Sequence, residues 1–268
     1  MRSTALIALN VFRESVRDKV LYNLVAFAIL LMGASYLIGQ LTAAQDVKII
    51  KDLGLAATSI FGLFIAVFIG IGLVSKEVER KSIYALLAKP VERYQIVLGK
   101  YAGLVLTLMV NLTVMASALY LVLAAMRWIE GPNVTRGLEA PLLDPAMLKA
   151  VALTFVELAI VTAIALFFST FSTPLLSAAL TFGLFVAGRF SDDLRTFNQV
   201  VDSPVAATLA RGLYWVLPHL AQFDVRAQVV HGQAVDAGYM ALTAAYGFVY
   251  ITILLMVSTV IFARRDFK

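Results

Sequence analysis

Residues 53–75 and 101–126 form two runs without a single Asp, Glu, Lys or Arg, and between them lies a crowded charged stretch, 76–100, KEVERKSIYALLAKPVERYQIVLGK. A run of roughly 20 uncharged residues is long enough, at about 1.5 Å per residue, to cross the ~30 Å hydrocarbon core of a bilayer as a helix. The charged stretch must therefore return to water between two buried helices, as a short loop on one face of the membrane. Within it Ser82 can accept a hydrogen bond from the free N–H groups of a new helix start, and Ile83, Leu86, Leu87 and Pro90 follow on one narrow apolar face. Pro90 then ends that helix. A stubby amphipathic helix ringed by Glu77, Glu79, Arg80, Lys81, Lys89 and Arg93 suits docking against a soluble partner. A solvated turn whose positive charges only fix topology fits the same spacing.

The rest of the chain agrees with a membrane solvent. A chain of 268 residues that is 61% hydrophobic and 15% charged cannot hide its apolar side chains in one soluble core. The expected fold class is an all-α polytopic membrane protein. There is no cysteine, which excludes disulfides, thiolate metal sites and cysteine nucleophiles. His219 and His231 stand twelve apart without carboxylates at ligand spacing, so no metal site is expected. A net charge of +5 would suggest nucleic acid for a soluble protein. Here the bias of Lys and Arg toward cytoplasmic loops explains it, and no nucleic-acid partner is expected.

In chain order, residues 1–19 read as an interfacial elbow helix, with Ala5, Leu9, Phe12 and Val16 on one face and Asn10, Arg13, Glu14 and Arg17 on the other. A plain basic flank orienting the first span is the alternative, and no cleavable signal peptide is evident. Six spans are expected over 20–38, 53–74, 96–126, 148–168, 174–188 and 239–263. The fourth and fifth separate at Ser169–Pro174, because Pro174 breaks the helix and biases Thr173 away from helical geometry. Gly62, Ala66 and Gly70 form a small-residue stripe that reads as helix packing. Two polar residues lie inside spans. Asn111 could line a cavity, although an interhelical hydrogen bond is the commoner use. Glu157 is the one charge in residues 150–188 and is costly there unless paired, protonated or facing water; a structural bond to a neighbouring span and a role in transport both remain open. Residues 189–238 are expected as an outer loop whose mixture of aromatic and polar residues rests on the outer leaflet.

Charge fixes the orientation. The N-terminus, the 76–100 loop and the C-terminus together carry 13 Lys and Arg against 6 Asp and Glu, while the other side carries 9 against 10, Glu157 apart. Both termini and the loop are therefore expected in the cytoplasm, which requires an even number of spans.

The 76–100 stretch resembles the cytoplasmic loop of type 2 ATP-binding-cassette permeases: an acid-x-acid-Arg start, a hydrophobic run with Leu-Leu, then Pro-x-x-Arg and a Gly-Lys entering the next span. Glu77, Glu79, Arg80, Ser82, Leu86, Leu87, Pro90, Arg93, Gly99 and Lys100 stand at the matching positions. Lys81 replaces the usual Gly and Ser82 the usual Thr, and neither removes the helix start. Such permeases also carry an entry elbow and a Leu-Pro followed by Phe-Asp between the last two spans, matched here by Leu217, Pro218, Phe223 and Asp224.

The resemblance implies a permease subunit, itself no enzyme, that pairs with a second copy as a homodimer in a bacterial or archaeal cytoplasmic membrane. A coupling helix in the loop would engage a separate cytoplasmic ATPase through Glu77, Glu79, Arg80, Ser82, Ile83, Leu86, Leu87, Pro90 and Arg93. No cofactor is expected in this chain, since ATP and Mg would bind the partner and no GxxxxGK[ST] loop is present. Transport out of the cell is the expected direction, and apolar span faces favour lipid-like, hydrophobic or polymer cargo over small ions. A non-transporting anchor or force-transmitting subunit could use the same loop. An ion-coupled carrier would show internal repeats and several buried charges, and an intramembrane enzyme would need a paired catalytic set; neither is evident.

Overall fold

The computed structural model describes residues 2–39, 46–79, 92–130, 141–191, 212, 214 and 216–264. It is all-α, with no strand among the described residues. The helices are α1 (Arg2–Val16), α2 (Lys19–Gly39), α3 (Asp46–Glu79), α4 (Arg93–Glu130), α5 (Ala146–Ser169), α6 (Pro174–Arg189), a short α7 (Arg226–Val230) and α8 (Ala237–Arg264), with a 3₁₀ turn at Leu220–Phe223 before α7. Five of them, α2, α3, α4, α5 and α8, are long and apolar enough to cross a membrane. Large apolar side chains face outward along them, Leu30 at 68% and Leu242 at 75% exposure among them. In water such surfaces would aggregate; in hydrocarbon they are ordinary.

α5 is the axis of the bundle. Residues 157–166 are buried without interruption, so this helix is enclosed on all sides rather than on one stripe. α3, α4, α6 and α8 pack around it, and α2 lies outside against α3 and α4. The α3–α5 contact is made by the expected small-residue stripe. A methyl group on Gly62 would run into Leu158, one on Gly70 would lie 2.7 Å from Ala165 Cβ, and Ala66 between them is buried. Only hydrogen at those positions lets the two backbones approach this closely.

α1 is helical, and the side it packs against the bundle is a different one from the Ala5/Leu9 stripe read as interfacial. Ile7 and Val11 turn toward α4, while Ala5 and Leu9 stay exposed. The cause lies on α4. A methyl at Gly99 would lie 2.8 Å from Ile7 and one at Gly103 would lie 2.7 Å from Val11, so the two glycines form the groove that α1 occupies. The Ala5/Leu9 stripe that periodicity picked out is left for the membrane interface.

α6 begins as expected. Thr173 is extended (φ −73°, ψ 158°), Pro174 takes the first helical position, and Ser177 N–H closes on Thr173 O at 2.8 Å. With 16 residues it is about 24 Å long, short of a ~30 Å core. The chain that follows makes up the difference. Residues 217–236, expected to rest on the membrane surface, instead enter the bundle, and Leu217, Leu220, Phe223, Val225, Val229 and Val230 are buried against α3, α5 and α6. Gly188 sits where a methyl would lie 2.7 Å from Pro218 O, which lets this segment turn tightly over the end of α6. Non-helical backbone at such depth is tolerable only when enclosed by protein. Tyrosines of α8 supply partners for it: Tyr246 Oη accepts from His219 N–H at 3.0 Å, Tyr250 Oη donates to Val216 O at 3.1 Å, and Tyr239 Oη donates to Gln222 O.

Two neighbouring glycines of α3 test the packing. Gly70→Leu is expected to destabilise the chain by about 1–3 kcal/mol through overpacking against Ala165. Gly72→Leu, two residues on, points into open space and is expected to leave the unfolding temperature in detergent unchanged or raised, as Leu is the better helix former.

Candidate functional site

Two polar regions stand out from the apolar bundle. The first is the face where α3 ends and α4 begins. The uncharged run of the sequence ends at Ser75, the helix α3 continues to Glu79, and α4 starts at Arg93. Of the residues expected to contact an ATPase, Arg80, Ser82, Ile83, Leu86, Leu87 and Pro90 lie outside the described residues, and Glu77 and Glu79 are described only as helical backbone of α3. Arg93 is placed in full. Its Nη1 donates to Phe262 O at 3.2 Å and to Ala263 O at 2.6 Å, two carbonyls of the last turn of α8. The last carbonyls of a helix are in general left without an intrahelical donor, and a cation there also meets the negative end of the helix dipole. Arg93 thus fastens the start of α4 to the end of α8. Gly99 of the same motif seats α1.

The opposite end of the bundle has its own staples. Lys51, 1% exposed, donates to Pro141 O at 2.7 Å, Tyr120 donates to Asp144 O at 2.7 Å, and Lys149 donates to Val235 O at 2.9 Å. Each joins a helix to a connecting segment, so the loops at this end are tied down by side chains from the spans.

The second region lies deep in the bundle. Glu157 is 1% exposed and about 16 Å along α5 from Ala146, near the middle of the helix. Arg189, the last residue of α6, brings Nε to 3.1 Å from Glu157 Oε1 and Nη2 to 3.4 Å from Oε2. Its Nη1 donates to Asp224 Oδ2 at 2.6 Å. Asp224 in turn accepts from Arg226 Nε and Nη2, both at 2.9 Å, and from Arg226 N–H at 3.2 Å. The result is an alternating chain, Glu157, Arg189, Asp224, Arg226, whose formal charges cancel. The Arg189 guanidinium also lies 5.7 Å from the centre of the Phe185 ring. Burial works against the Asp224 carboxylate, but the hydrogen bonds from Arg226 and Arg189 outweigh it and hold the carboxyl well below the usual range. The same bond to Asp224 raises Arg226.

Of the two intramembrane residues singled out from sequence, Glu157 is therefore paired. Among the described residues Asn111 bonds within its own helix: its amide donates to Thr107 O of α4 at 2.7 Å. Sequence reasoning missed Arg189 and Arg226 as partners. The available signal was Phe-Asp at 223–224, which places Phe223 in the core and Asp224 beside it against Arg189. Among the described residues no group of three or more His, Asp or Glu could hold a metal ion.

An all-α bundle with five helices long and apolar enough to cross a membrane defines a polytopic membrane protein. The chain belongs to the family described as ABC-2 family transporter protein, which it matches over residues 5–267. It is a membrane permease component of an ABC transporter, and membership implies an ATP-binding subunit as partner. No curated protein matches the chain.

Arg189→Met would strand Glu157 in the bundle and is expected to cost about 3–5 kcal/mol, while the double variant with Glu157→Gln recovers a large part of it, read as a thermal-unfolding double-mutant cycle in detergent. Because the folded Asp224 carboxyl lies below its unfolded value, its contribution is fully present above the ordinary carboxylate value of about 4 and is lost as pH falls toward the folded one. Wild-type stability should fall more steeply than that of Asp224→Asn between about pH 4 and pH 2.

Proposed function

We propose that this chain is the membrane half of a transporter driven by a separate cytoplasmic ATPase, with the segment between α3 and α4 as the part the ATPase grips. Family membership over nearly the whole chain carries the reading. The placement of that segment supports it: the two longest helices, of 34 and 38 residues, bracket it.

In this reading Ser82 starts a short coupling helix whose Ile83, Leu86 and Leu87 face fills a groove on the ATPase, with Glu77, Glu79 and Arg80 making the polar contacts. ATP and Mg bind the partner. Two copies of the chain form the transport unit, and closure of the ATPase pair drives the two coupling helices together and switches the membrane halves between inward-facing and outward-facing states. The termini and the coupling segment lie in the cytoplasm and cargo moves outward. The positive-inside bias supports that orientation. So does the grouping of α1, the start of α4 and the end of α8 on one face, since all three carry the basic segments.

The test is ATP turnover by the purified complex of this chain with its ATPase. Glu79→Lys is expected to reduce permease-stimulated turnover about tenfold while leaving the chain's own unfolding temperature unchanged, a loss of roughly 1.4 kcal/mol of coupling. Unchanged turnover would remove Glu79 from the contact. Full turnover without cargo movement in vesicles would indicate a force-transmitting subunit in place of an exporter.

A further inference from the structure

A cavity of about 240 Å³ opens at the corner where α1 turns into α2, beside α3. Its polar part is formed by Glu14, Ser15 and Asp18, and its apolar part includes Leu24, Ile65 and Phe68. Ser15 is only 5% exposed, and its Oγ has no hydrogen-bond partner. A buried hydroxyl left unpaired is costly, so one that lines an open cavity marks a place where a ligand atom completes the bond. Glu14 forms no ion pair among the described residues. Gly72 closes the far side, and nothing lies within 4 Å of where its Cβ would be. These features belong neither to the coupling segment nor to the charge chain.

We propose that this cavity holds a primary-amine zwitterionic phospholipid from the leaflet in which α1 lies. The ammonium offers three N–H donors and a positive charge to a corner that supplies the Glu14 carboxylate and the unpaired Ser15 hydroxyl, with Asp18, whose Oδ1 accepts from Val20 N–H at 3.0 Å, adding negative charge beside them. The phosphate then falls at the turn itself, where Arg17 and Lys19 are exposed on either side of Asp18. A basic, acidic, basic order at one turn complements a headgroup with both signs and disfavours one that is only anionic. At about 30 Å³ for each water-sized group, the volume accommodates roughly eight, enough for the upper part of one acyl chain but not a whole lipid. Phe68 and Val20, each about half exposed, border the opening, so the remainder of the chain can lie in the surrounding bilayer.

The experiment is native mass spectrometry of the full-length chain released from micelles containing phosphatidylethanolamine, phosphatidylcholine and phosphatidylglycerol with identical acyl chains, with separate arms holding phosphoethanolamine or dodecylammonium alone. Phosphatidylethanolamine is expected to be retained about tenfold over phosphatidylglycerol, with phosphatidylcholine between them because its quaternary nitrogen has no N–H for Ser15. Gly72→Leu should abolish that preference by filling the cavity, and Ser15→Ala should lower ethanolamine retention to the choline level. Equal retention of ethanolamine and glycerol lipids by the wild type, or wild-type retention by a folded Gly72→Leu, would overturn the proposal. Capture of phosphoethanolamine or dodecylammonium as strongly as of the lipid would overturn it too, since a free amine would then be the ligand. Ser15→Ala raising the unfolding temperature with no change in lipid selectivity would reduce Ser15 to an unpaired core hydroxyl and end the case for it.

Discussion

Every backbone N–H and C=O that enters hydrocarbon needs a partner inside the protein, and the unusual half of this structure follows from a helix too short to meet that need alone. α6 ends at Arg189, part way through the bundle, so the chain after it must be enclosed and bonded. The structure answers with apolar residues of 217–230 turned into the core and with α8 tyrosines at the exposed polar groups. Arg189 at the end of α6 finds both Glu157 on the central helix and Asp224 on the inserted segment, so one guanidinium joins three elements. Such a chain of charges is weak support for stability as a whole, because desolvation offsets much of the attraction, yet removing one member leaves its neighbour exposed to the full penalty. Its value here is in fixing one position of the inserted segment relative to α5.

The helices themselves were largely readable in the amino-acid order. Uncharged runs of span length located α2, α3, α4, α5 and α8, and Pro174 located the start of α6, because length and proline geometry are local properties. The Gly62, Ala66, Gly70 stripe announced a close helix contact but not its partner, since any helix can occupy a groove of small residues. The same limit applies to α1. Its apolar periodicity marked Ala5 and Leu9, whereas Gly99 and Gly103, about ninety residues further on, decide which side is packed. In a membrane protein an apolar stripe has two possible destinations, protein and lipid, and periodicity cannot choose between them.

Tertiary pairing was least legible. Glu157 was conspicuous as a lone acid, but Arg189 is 32 residues away and Asp224 another 35, and no spacing rule links positions on three separate elements. Residues 217–236 were misplaced for a related reason. They belong to the longer 189–238 stretch, whose mixture of aromatic and polar residues has the composition of a surface segment, and only the shortness of α6 reveals the space they fill.

Arg93 links two parts of the molecule that are far apart in the chain. By holding the carbonyls of Phe262 and Ala263 it makes the end of α8 a neighbour of the start of α4. A displacement of the start of α4 is therefore also a pull on α8, so a change at the charged segment reaches the last span without passing through the three helices between them in the chain.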